Sequence, residues 1–111
     1  PFHSSLMTTA RDKLKDYIDK VQLQAPKLSF ISNVDAKAQI DPVTIKLNLI
    51  SQVNSKTMWE ESIKLVAASG VKTFYEIGPG QVLKGLLKKI DPKLEVKNIG
   101  CAADLSAPAA I

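Results

Sequence analysis

At 111 residues the chain has room for one ordinary domain and not for two. Its composition, 45% hydrophobic and 23% charged with five Gly and six Pro, excludes disorder, collagen and coiled coil, and no apolar run approaches the roughly 18–20 residues of a membrane span. A lone cysteine, Cys101, excludes an internal disulfide framework and a cysteine-based zinc cage, a lone histidine excludes a poly-His metal site, and a net charge of +4 is too mild to argue for nucleic acid.

In chain order the pattern alternates helix and strand. Leu6, Met7, Ala10, Leu14, Ile18 and Val21 recur at three and four, which predicts an amphipathic helix over 5–21. Leu28–Ile31 is short and apolar and predicts a strand, with a turn at Asn33–Asp35. Asp41-Pro42 pairs a capping side chain with a proline suited to the first helical position, so a second helix starts there and shows an apolar face from Val43 to Val53. Thr57 with Glu60 three residues on predicts a capping box and a third helix, with Trp59 and Ile63 in its buried stripe and Gly70 as its stop. Thr73–Ile77 predicts a strand, Gly78-Pro79-Gly80 breaks it, and Leu83, Leu86, Leu87 and Ile90 mark a helix closed by Asp91-Pro92. Leu94–Ile99 predicts a last strand, and the end of the chain reads as a loose small-residue tail. This order suggests an α/β layer with a largely parallel sheet and flanking helices.

The candidate chemistry starts at His3, immediately before the first predicted helix. A neutral imidazole near pH 7 is what a general base needs. By spacing alone a surface or capping histidine is the commoner reading. A terminus would hold a lone functional histidine poorly, so the expectation is a C-terminal piece of a longer protein. Gly78-Pro79-Gly80, between a strand and a helix, is a turn at which backbone could approach a ligand, or a tight turn needed for packing. Lys84, Lys88, Lys89, Lys93 and Lys97 outnumber Asp91 and Glu95 near the end of the chain. That is a basic rim able to steer an acidic partner, or a solvated helix face. Cys101 is expected to be an inert, half-buried thiol.

Pro1-Phe2-His3-Ser4-Ser5-Leu6-Met7 resembles the histidine motif of the malonyl-CoA:acyl carrier protein transacylase family. Asn33-Val34-Asp35 resembles the family's Asn-Val strand end, Gln52 precedes Trp59 by the family's spacing, and Tyr75–Leu83 resembles its Gly-Pro-Gly signature. The likeness covers residues 1–99, as the C-terminal portion of the family's α/β-hydrolase-like large domain, and leaves 100–111 as tail.

The resemblance implies ping-pong malonyl transfer from malonyl-CoA to acyl carrier protein through a malonyl-serine. It implies no cofactor and no metal, in a cytoplasmic protein or an organelle carrying bacterial-type fatty acid synthesis, with no nucleic acid or membrane partner. His3 matches the family's general base. Gln52 matches the position whose backbone carbonyl orients that ring, the place an Asp takes in a protease triad. Phe2, beside His3, matches a residue of the acyl pocket. Val82, with Gly78 and Gly80, matches the substrate border. Lys84, Lys88 and Lys89 would meet the acidic carrier protein. The family's Gly-His-Ser-x-Gly nucleophile motif is absent, and the only arginine, Arg11, does not match the family's carboxylate clamp. This segment alone is therefore expected to be inactive, with the missing N-terminal part as its partner. The alternatives are a non-catalytic carrier-protein-binding module and an acyltransferase domain of a modular polyketide synthase, though Gly80 stands where modular domains usually carry His.

Overall fold

The structure, a computed structural model, describes residues 1–105 and divides into two compact units, residues 1–65 and the remainder. In the first unit a 3-10 turn, Ser5–Met7, leads into helix α1, Thr8–Ile18. Strand β1, Phe30–Ile31, pairs antiparallel with β2, Ala38–Gln39. Helix α2, Pro42–Gln52, packs against α1, and helix α3, Trp59–Ala68, carries the chain onward. The second unit is a β-α-β element: β3, Thr73–Ile77, then α4, Val82–Ile90, then β4, Glu95–Ile99. Strands β3 and β4 are parallel, in register from Thr73 opposite Glu95 to Ile77 opposite Ile99. The class is α/β, as expected. The parallel pairing is confined to β3 and β4 among the described residues, and the predicted strand at 28–31 shrinks to a two-residue antiparallel rung.

Local chemistry explains most of the element ends. The Asp41 carboxylate accepts from the amides of Val43 (3.3 Å) and Thr44 (2.8 Å) and from the Thr44 hydroxyl (2.6 Å), satisfying donors that helix geometry leaves free. The Thr44 hydroxyl, then the Thr44 amide, hold that carboxyl below its ordinary range. Helix α3 starts one residue later than the capping box requires, with Met58 rather than Thr57 before its first residue. Met58 O accepts from the Ser62 amide and hydroxyl at 3.0 and 2.7 Å. Glu60 reaches forward to Lys64 at 2.5 Å. Gly70 ends that helix with φ +97, a left-handed conformation that favours glycine.

The buried apolar side chains are Ile50 and Ile63 in the first unit, and Leu87, Leu94 and Val96 in the second. The apolar stripe predicted for the first helix is not buried: Leu6 is 79% exposed and no residue of α1 is buried. Trp59 is half-buried, and its indole N–H is buried without a hydrogen-bond partner among the described residues. Cys101 is exposed, not half-buried. It opens a short 3-10 turn, Ala102–Leu105, whose Asp104 carboxylate accepts from the Gly100 and Cys101 amides at 2.8 and 3.0 Å. The rest of the predicted tail, 106–111, lies outside the described residues. No described helix is long and apolar enough to cross a membrane.

Candidate functional site

His3 is held by the turn that follows α2. Its backbone has φ +64, a conformation non-glycine residues adopt at a cost of order 1–3 kcal/mol. What compensates is a set of long-range bonds. The His3 amide donates to Val53 O at 2.9 Å. The ring Nδ1 lies 2.9 Å from Gln52 O and 3.1 Å from Ser55 O. Carbonyl oxygens only accept, so these partners assign the proton to Nδ1 and leave Nε2 of the neutral ring with a free lone pair. Nδ1 therefore faces carbonyls at and just beyond the C-terminal end of α2, where unpaired carbonyls carry partial negative charge. Gln52, a sequence-derived candidate, contributes its backbone carbonyl to this contact. Ser55 was not foreseen, because a backbone carbonyl carries no side-chain signature.

Beside the ring is a cleft of ≈ 360 Å³, walled by Phe2 and His3, by Leu14 and Ile18 of α1, and by Leu49 and Gln52 of α2. Its volume falls within the range of small-molecule sites, and most of its wall is apolar. Phe2 is 69% exposed and forms part of that wall, so the structure brings together Phe2, His3 and Gln52.

The remaining sequence-derived candidates lie in the second unit. Gly78 and Gly80 have φ +132 and +90, so the turn after β3 needs glycine at both places. Asn98 on β4 spans this turn: its Nδ2 donates to Glu76 O (3.1 Å), Gly78 O (3.3 Å) and Gly80 O (2.8 Å). The Glu76 carboxylate accepts from the Leu83 and Lys84 amides at 2.9 and 3.0 Å. It caps α4 in place of Gln81, which makes no side-chain cap bond. These two amides at the start of α4 therefore already hold a carboxylate. Val82 opens α4 and is 73% exposed. Lys84 is half-buried and Lys89 exposed, while Lys88 donates to Pro92 O at 3.0 Å and so helps close the helix. Among the described residues no three His, Cys, Asp or Glu side chains group to hold a metal ion.

No family model matches the chain. Curated relatives do match it. The malonyl CoA-acyl carrier protein transacylase of Bacillus subtilis is 45% identical over 95 residues, which is 86% of this chain and 30% of that protein. An acyl carrier protein S-malonyltransferase from Vibrio cholerae superposes with a TM-score of 0.89 at 40% identity, over 96% of this chain and 35% of that one. A malonyl-transacylase solved in complex with a type II polyketide synthase acyl-carrier protein superposes with a TM-score of 0.89 at 32% identity, over 96% of this chain and 34% of that one. The chain thus spans about a third of the length of the proteins it matches.

Proposed function

From a chain homologous to the C-terminal third of the malonyl CoA-acyl carrier protein transacylases, we propose that it supplies the proton-transfer half of a malonyltransferase. The observation that carries this reading is His3, with Nδ1 on the Gln52 and Ser55 carbonyls, which leaves Nε2 as the ring's acceptor.

The nucleophile is a serine on polypeptide outside this chain, which holds no Gly-x-Ser-x-Gly sequence. His3 Nε2 takes the hydroxyl proton as the serine oxygen bonds to the malonyl thioester carbon. The tetrahedral intermediate expels coenzyme A as its thiol, which receives that proton, and malonyl-serine remains. The carrier protein's pantetheine thiol then gives its proton to His3 and attacks the ester. The serine oxygen leaves and recovers the proton. The Nδ1–H bonds keep the ring in one tautomer through both halves, and the carbonyl ends stabilise the imidazolium formed in between.

Phe2 forms part of the acyl-binding wall, with Val82, Gly78 and Gly80 at the substrate border. Lys84 and Lys89, with Lys88, face the acidic carrier protein. The exposed apolar side chains of the Ser5–Met7 turn and of α2, such as Leu6, Val43 and Leu47, are covered by the polypeptide that brings the serine. Residues 1–99 are the acyltransferase portion. No cofactor takes part, and the setting is the cytoplasm or an organelle that runs bacterial-type fatty acid synthesis.

The test is intact mass of the whole protein after mixing with malonyl-CoA, then with carrier protein. A gain of one malonyl group that passes to the carrier's thiol is expected. No adduct and no transfer would refute the reading.

A further inference from the structure

We propose that Asn33 is a positioning residue for His3, acting through the segment Gln52–Met58; this rests on the acyl-transfer reading for its kinetic consequence. The three carbonyls that hold His3, those of Gln52, Val53 and Ser55, all lie on that segment. Past the end of α2 the segment has no regular secondary structure of its own. Asn33 touches it at both ends. Its carbonyl accepts from the Met58 amide at 2.7 Å, and its side-chain Nδ2 lies 3.4 Å from Gln52 Oε1.

Asn33 itself stands on a braced turn. Ser32, 2% exposed, accepts from the Val34 amide through its hydroxyl (3.2 Å) and from the Ala36 amide through its carbonyl (2.9 Å). Asp35 accepts from Asn48 of α2 at 3.2 Å and from Gln39 at 2.7 Å. The turn is thus tied to α2 one helical turn before Gln52, and Asn33 extends that frame to the carbonyls beyond the helix end. His3 has an unfavourable backbone conformation to maintain, so small shifts of this segment release the ring.

The backbone contact survives substitution, so the test addresses the side chain, in the whole protein that carries this chain. Two quantities are read in Asn33→Ala: the His3 ring nitrogens by long-range 15N–1H correlation, assigned with a His3→Ala sample, and kcat and KM for malonyl-CoA per folded molecule. The wild type shows the Nδ1–H form. N33A is expected to mix the two tautomers and to lower kcat roughly 10–100-fold with KM unchanged. N33D restores both, because the Gln52 amide can turn over and donate to the new carboxylate.

A merely structural role lowers the melting temperature and leaves the ring signature and kcat of the folded fraction unchanged; that result overturns the proposal. Should N33A not fold, Gln52→Met breaks the same side-chain contact while keeping the backbone carbonyl. An unaltered ring and kcat in Q52M overturn the proposal equally. Full activity in H3A would sink the acyl-transfer reading and leave the ring measurement to judge Asn33 separately.

Discussion

Asn98 offers the sharpest test of how the glycine turn is held. Its amide has two hydrogens for three carbonyls, those of Glu76, Gly78 and Gly80, at 2.8–3.3 Å. Asn98→Ala therefore removes the equivalent of two hydrogen bonds. Each is worth about 0.5–1.5 kcal/mol net, and the exposed Gly80 carbonyl regains water, so the loss is about 1–2 kcal/mol. A loss of that size raises the open population of the turn about 5–30-fold. The assay is hydrogen exchange at the amides the turn protects: Gly78, bonded to Ile99 O at 2.9 Å, and Leu83 and Lys84, bonded to Glu76. Their exchange should speed up by that factor, while α2 amides keep their rates. Asn98→Asp should be worse than alanine, because a carboxylate has no donor and repels three carbonyls. Unchanged exchange at 78, 83 and 84, or equal acceleration in α2, would refute the clamp.

Other expectations concern the core, the helix cap and the basic face. Leu87, 3% exposed, should cost about 2–5 kcal/mol when truncated to alanine, measured by denaturant unfolding; a cost below about 1 kcal/mol would mean the site collapses freely. Asp41 has its folded-state pKa depressed, first by the Thr44 hydroxyl, so its contribution to stability is fully present above the ordinary carboxylate range. That contribution is lost as pH falls through the lowered value, and Asp41→Asn should flatten acid-limb unfolding midpoints; an unchanged slope would contradict the cap. On the proposed function, changing Lys84, Lys88 and Lys89 together to Glu should slow transfer to carrier protein more than loading from malonyl-CoA. Equal slowing of both half-reactions in stopped-flow assays would remove the docking role.

The features legible in the sequence were those with a local cause. Asp41-Pro42 is a helix start wherever it lies, and it opens α2. The apolar run Thr73–Ile77 ended by two glycines became β3 and a turn with both glycines at positive φ. Periodicity found the first helix but not its environment, since 3.6-residue spacing says which face is apolar and nothing about what covers it. Strand β2 carries no pattern in its Ala38-Gln39; it exists because the turn braced by Ser32 lays it beside β1. The site divides the same way. His3 and Gln52 were reachable through motif resemblance. Ser55, the Glu76 cap and the Asn98 clamp join residues from seven to 52 positions apart, and no local signal marks them.

On the proposed function, Nε2 of His3 moves the proton in malonyl transfer. That role is tested most directly by the transfer rate of His3→Ala in the whole protein, under single-turnover conditions with malonyl-CoA and carrier protein. A loss of about 10²–10⁴-fold is expected, with the fold intact by circular dichroism. A folded H3A enzyme that transfers malonyl at the wild-type rate would contradict it.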